Sequence, residues 1–193
     1  MLTTLARAKS LLSIPIEDTS QDDAISLFIE MASSIIETHC KRIFKKQSHT
    51  EKLSTLQEPY QVTQQPLTKL VLRQYPVLSM ESFSVFGESM TDYELLSDSG
   101  ILYRQSCWPK GEYIIEASYT AGYITPDIAT TEQPVNLPKS IEMACILLIQ
   151  TLMRAPGVTS ERVGDLAVTY QNDGDNLPPA VKALIAPFVS RRV

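Results

Sequence analysis

Apolar positions recur every three to four residues over two long stretches of this chain, and every second residue over the stretch between them. In the first helical stretch Ile25, Phe28, Ile29, Ala32, Ile35, Ile36, Cys40 and Ile43 form one stripe, with Glu30, Ser33, Ser34, Glu37 and Lys41 opposite. That spacing predicts an amphipathic helix from about Gln21 to Phe44. Ser20, followed three residues later by Asp23, resembles a capping box at its start. The second stretch runs from Pro138 to Arg154. Ile141, Ala144, Cys145, Leu148, Ile149, Leu152 and Met153 keep to one face, and Ile146 and Leu147 widen it. Pro138 suits an opening turn because its fixed φ is helical and its missing N–H had no partner there. A helix apolar on most of its circumference must be covered on most sides. Gln150 and Thr151 interrupt the run, and it falls short of the ~20 apolar residues that cross a bilayer. It reads as a central core helix.

Two shorter helices flank these. Thr3 or Thr4 can cap one carrying Leu5, Ala8, Leu11 and Leu12, closed by Pro15, and Pro178 and Pro179 open another with Val181, Leu184 and Ile185. Beyond Lys46 the period becomes two and stays so to Tyr123. Leu70–Leu72, Phe83 and Val85, Tyr93–Leu96, Ile101–Tyr103 and Tyr113–Tyr119 read as short strands. Glycine and serine turns separate them, which predicts an antiparallel meander. In the last strand Tyr113, Ile115, Ala117 and Tyr119 are expected on one face. The expected fold is therefore α+β: a mainly α-helical bundle core with an inserted antiparallel β-sheet region. It is read as a single domain over 1–193, with the helical core at 1–46 and 136–190 and the β insertion at 47–123. Leu166, Val168 and Tyr170 alternate with Ala167 and Thr169, a short strand or extended arm that the residues alone favour as part of an internal hairpin over a strand added to a neighbour's sheet edge.

Composition narrows the function classes. An apolar fraction of 44% with 20% charged residues is that of an ordinary globular chain. The net charge of -5 argues against general nucleic-acid binding, which draws its affinity from Lys and Arg on phosphates. Cys40, Cys107 and Cys145 have no metal-ligand or redox spacing, and the N-terminus has no signal-peptide core, so a reducing cytoplasm is expected.

Catalytic templates fail one by one. Gly157 to Gly164 lacks the P-loop spacing and its Lys-Ser/Thr. His39 and Cys40 are helix neighbours and point about 100° apart, so they cannot act as base and nucleophile on each other. Asp173-Gly-Asp175 would put Pro178 and Leu184 where a calcium loop needs Gly and Glu. No catalytic, cofactor or metal site is expected. Two rival readings stand beside that: a small enzyme assembled from scattered groups such as His39, Asp165 and Tyr170, and a DNA-binding regulator using Lys41, Arg42, Lys45 and Lys46. On the interaction side, Phe188, Arg191 and Arg192 make an aromatic–basic tail beyond Pro187.

One ordered set of landmarks covers nearly the whole chain. An acidic lead, Gln21-Asp-Asp-Ala24, opens a helix ending Ile36-Glu-Thr-His-Cys-Lys-Arg-Ile-Phe44. Tyr75-Pro-Val77, Tyr93, Trp108-Pro109 and Tyr119-Thr-Ala-Gly-Tyr123 follow. Then come Leu137-Pro138, Ser160-Glu-Arg-Val-Gly-Asp-Leu-Ala-Val-Thr-Tyr170, and the Arg-Arg tail. In this order they resemble the head–tail connector (adaptor) family of tailed bacteriophages and prophages. The resemblance implies a structural virion protein of the neck, assembled in the host cytoplasm, with no cofactor. It implies a homo-oligomeric ring, commonly dodecameric in the virion and monomeric in isolation, that sits under the portal protein and extends the DNA channel. The ring would seat the next head-closure or tail-completion protein, and DNA would pass without specific binding. It further implies portal docking through Phe188, Arg191 and Arg192. Subunit or channel contacts would come from Gly164, Asp165, Leu166, Val168 and Tyr170.

Overall fold

The computed structural model describes residues 1–55, 67–153 and 177–190 in full, and the backbone of 160–163 and 166–169. The chain divides into two compact units, one built from Met1–Phe44 and Ile124–Ser190, the other centred on Lys45–Tyr123.

The first unit holds the helices. Helix α1 (Leu5–Leu11) is capped by Thr4, whose Oγ1 accepts from the Arg7 N–H at 3.3 Å. Helix α2 spans Asp22–Cys40 and α3 spans Lys139–Met153. Helix α4 (Pro179–Ile185) runs into a single 3-10 turn, Ala186–Phe188. Helix α3 packs against both α2 and α4. Its Ile141, Ala144, Cys145, Leu148 and Ile149 meet Ile25, Ile29, Ala32 and Ile36 of α2 and Val181 and Ile185 of α4 in a buried core. The expected stripes lie on the buried faces, but Ser33, expected opposite, is buried too and accepts from the Leu2 N–H at 3.1 Å.

Two further details differ from expectation. Ser20 caps nothing, because its hydroxyl bonds Asp18 Oδ1 at 2.6 Å and Gln21 makes no side-chain cap bond. Helix α2 also stops at Cys40 rather than Phe44. Lys41 turns left-handed at φ 54° and lets the Arg42 N–H reach the Glu37 carbonyl, an αL-type helix stop. Phe44 is thereby released to fill the core, with its N–H on Glu37 Oε1 at 2.9 Å.

The second unit is made of strands β1 (Gln47–Leu53), β2 (Lys69–Val71), β3 (Val77–Val85), β4 (Glu88–Ser89), β5 (Glu94–Leu96), β6 (Ile101–Tyr103) and β7 (Ile115–Ala121). They form a four-stranded antiparallel sheet in the order β1-β7-β3-β4 and a three-stranded one in the order β2-β6-β5. The first strand thus pairs with the last, which a simple meander would not do. From Ile115 onward β7 follows the predicted alternation, burying Ile115, Ala117, Tyr119 and Ala121. On the opposite face hydroxyls bond across strands: Ser48 to Thr120 at 3.2 Å, Thr50 to Ser118 at 3.0 Å, and Thr120 to Glu81 at 2.6 Å. A further pair, β8 (Ser160–Val163) and β9 (Leu166–Thr169), forms a two-stranded antiparallel sheet.

This arrangement corrects the expected fold class. The protein is not a helical bundle with an inserted sheet. The described residues hold four short helices in the first unit and two antiparallel sheets of seven strands in the second, and the described chain is β-rich. The physical reason lies in the sheets' own packing. Leu53, Leu70, Leu72, Phe83, Val85, Leu102, Trp108, Ile115 and Tyr119, drawn from both sheets and a connecting loop, bury one another in a core of their own. Phe83, Tyr93 and Trp108 anchor it with ring centroids 4.7 to 6.4 Å apart. An alternating face that finds a second sheet does not need a helical bundle to cover it.

Candidate interaction surfaces

Two of the three cysteines are held in unreactive settings. Burial pushes the Cys40 thiol up to about 11, with Arg42 opposing and Glu37 adding a little. Burial likewise pushes Cys145 up to about 11, although Ser33 Oγ lies 3.8 Å from its sulfur. Thiols in that range stay protonated near neutrality and are poor nucleophiles. Of the scattered trio, His39 lies on α2, while Asp165 and Tyr170 fall outside the described residues. Among the described residues no group of His, Cys, Asp or Glu is placed to hold a metal ion, and no helix is long and apolar enough to cross a membrane.

The basic cluster does not act as one exposed patch. Lys41 is exposed, but Arg42 is buried, with its guanidinium carbon 5.1 Å from the Phe44 ring centroid. Phe188, from the aromatic–basic tail, is half-buried and meets Phe44 edge-on at 6.3 Å. Just beyond it the Ser190 N–H donates to the Cys40 carbonyl at 2.9 Å, one of the orphan acceptors at the end of α2. The root of the tail is therefore tied to the helical unit, while Arg191 and Arg192 lie outside the described residues. Leu166 and Val168 lie in β9; Gly164, Asp165 and Tyr170 are outside what is described.

Sequence reasoning missed two exposed aromatics at one end of the four-stranded sheet. Phe86 is 63% exposed in the turn from β3 to β4, and Tyr113 is 70% exposed just before β7. Both adopt left-handed backbone, at φ 54° and 52°. Tyr113 thus leaves the alternation that β7 begins two residues later. The signal available was the Pro109-Lys-Gly111 turn, which resets the side-chain phase.

His49 in β1 has a displaced titration. Burial, the larger effect, pulls its imidazole below the ordinary value, and Glu51 opposes it. Its ring centroid lies 5.9 Å from that of Tyr119, whose hydroxyl donates to Glu51 Oε1 at 2.7 Å. Because the folded protein resists the proton, the unfolded chain binds it first as pH falls through the ordinary histidine range, ~6.5. Stability is expected to fall with acidification from there down to the depressed folded value, and to change no further from this group below it. Denaturant midpoints for the parent and His49→Gln, taken on both sides of that range, check this. The parent should show the steeper acid loss, and equal slopes would refute it.

The fold as a whole is similar to chains of known structure. One, from the neck of an empty gene transfer agent particle computed with C6 symmetry, gives a TM-score of 0.61 at 15% identity, covering 100% of this chain and 91% of that one. Another, from the virion of a native gene transfer agent particle, gives 0.62 at 16% identity, again over 100% and 91%. A third, from the neck of a native particle computed with C12 symmetry, gives 0.53 at 15% identity over 88% and 84%. At such identities the likeness establishes the fold. No curated protein matches the chain. The family assignment comes from the sequence itself: the model of the head completion protein family matches residues 1–192, and the chain belongs to that family.

Proposed function

We propose that this chain, a structural virion protein of the phage-type head–tail connector or completion class, assembles as a homo-oligomeric ring in the neck of a virion. The ring sits against the portal protein, extends the DNA channel, and seats the next head-closure or tail-completion protein. The observation that carries the reading is the family match over residues 1–192. A fold shared, over most of both chains, with components of gene transfer agent necks supports it. Portal docking falls to Phe188, Arg191 and Arg192, with Phe188 wedged on Phe44 to fix where the two arginines leave the subunit. Contacts to a neighbouring subunit or the channel fall to the β8–β9 arm, through Gly164, Asp165, Leu166, Val168 and Tyr170. A two-stranded sheet is marginal alone and gains stability from a third strand or a covering surface. DNA passes without specific binding, in keeping with the net charge of -5.

Electron microscopy of the chain mixed with a portal protein from the same genome is the test. Rings stacked on portal rings are expected, and Arg191→Glu with Arg192→Glu should release them without lowering the melting temperature. A chain that stays monomeric and ignores the portal would refute the proposal.

A further inference from the structure

An antiparallel sheet with one face on a core ordinarily turns polar side chains to water from the other. The four-stranded sheet does so, with Ser48, Thr50, Ser118 and Thr120 bonded across its outer face. The three-stranded sheet does not. Its Leu70 and Leu102 lie in the core, with Leu95 packed against them. Strand alternation then turns Val71, Ile101 and Leu96 outward. The register sets these three side by side, with Val71 and Leu96 each paired to Ile101. Val71 is 38% exposed and Leu96 44%. Two residues along the strands, exposed Lys69 and exposed Glu94 stand on either side of Tyr103.

Charge on this face is sorted by strand. Strand β2 and the link after it carry Lys69 and Arg73 and no acid, while β5 and the turn after it carry Glu94 and Asp98 and no base. Asp92, ahead of β5, is taken by Arg104 Nε at 3.4 Å. The Arg73 N–H is held by Glu51 Oε1 of the other sheet at 3.0 Å, so the weight falls on Lys69 and Glu94. Both pair with Tyr103 of β6, which places each about one strand spacing, ~4.8 Å, from that strand. A two-fold axis along β6 therefore lays apolar row on apolar row and sets each Lys69 opposite the other copy's Glu94. Neither charge meets its like. The face is its own complement.

We infer that the outer face of the three-stranded sheet docks on the same face of a second copy, through Val71, Ile101 and Leu96 and two Lys69–Glu94 pairs. Stacked sheets lie ~10 Å apart, a gap that a lysine and a glutamate reaching from opposite sides span. A two-fold contact is isologous and ends at two copies. It makes a dimer of the chain off the ring and does not rest on the ring reading. Three strands of three residues cover roughly 14 by 10 Å, well short of the ~800 Å² per partner of a standard interface. The dimer is accordingly weak, and its population follows concentration.

The test mixes isotope-labelled with unlabelled full-length chains and adds a zero-length carbodiimide, which joins an amine to a carboxylate only where the two touch. Peptides linking Lys69 of one isotope to Glu94 of the other are expected, at a yield that rises with chain concentration. Links confined to one isotope, or no link, would overturn the inference. Sedimentation of the same chains without portal then weighs the contact. Val71→Thr with Leu96→Thr keeps strand propensity. It should hold the parent's melting temperature and raise the dimer dissociation constant at least about ten-fold. Lys69→Glu and Glu94→Lys should each weaken the dimer, and the chain carrying both should regain parental association, because both pairs re-form with their signs exchanged. A double exchange no better than its single components, or growth past two copies lost with the Val71 and Leu96 substitutions, would also overturn the inference. The ring reading is decided separately, on the portal.

Discussion

Leu148→Asp is expected to leave the helical unit unfolded. Leu148 is 2% exposed at the middle of α3, in the core that α3 shares with α2 and α4. Truncating a leucine in such a site costs ~2–5 kcal/mol through lost burial and a residual cavity. A carboxylate placed there without a partner adds several kcal/mol more, or forces the site open to water. The sum is of the same order as the whole stability of a domain, ~5–15 kcal/mol. Circular dichroism should show reduced helix content and no cooperative melt for the helical signal. Met143→Asp, on the same helix at a position 42% exposed, is the control and should melt close to the parent. If Leu148→Asp melted with the parent, the core would have been placed wrongly.

That pair of substitutions marks how far the sequence could be read. Helical stripes are local: the alternation of buried and exposed positions on α2 and α3 follows from their 3.6-residue period, whatever covers them. Strand alternation is equally local, and β7 was legible from Ile115 to Ala121. What covers a strand's apolar face is not local. Nothing in Phe83, Tyr93 and Trp108 taken singly says that they meet one another instead of a helix, so the β region was mistaken for an appendage to a bundle. The pairing of β1 with β7 spans more than sixty residues of sequence, Gln47 against Ala121, and carries no short-range signal. Helix ends failed for a similar reason, since the left-handed turn at Lys41 is not a glycine. The family was legible in another way, through an ordered set of weak landmarks instead of a motif. Phe86 and Tyr113 were hidden because aromatic residues near strands are ordinarily core.

Lys9 is the clearest residue that pattern reading could not place, and its removal is the second large effect expected. It stands between Ala8 and Ser10 on α1, and lysines are almost always exposed. Here it is 2% exposed, because the chain between α1 and α2 folds back over it. Its ammonium donates to the Ile16 carbonyl at 3.2 Å and the Asp18 carbonyl at 2.8 Å, and pairs with the Asp22 carboxylate in the first turn of α2. Three acceptors around one buried cation fix the approach of the two helices. Lys9→Met keeps the apolar stem and deletes the charge, so the cost is the three interactions and the stranded Asp22. A buried pair broken on one side typically costs ~3–5 kcal/mol. Asp22 retains 26% of its side-chain surface, so water can take up part of the loss, and about 2–3 kcal/mol is expected here. Asp22→Asn strands the ammonium of a more deeply buried partner but leaves both carbonyls, and should cost less than Lys9→Met. The double variant should then be little worse than Lys9→Met alone, because an amide at position 22 no longer needs the ammonium. Urea unfolding of the four chains measures this directly. Costs that simply add would mean that Lys9 and Asp22 do not act as a pair and that the linker carbonyls alone hold the lysine.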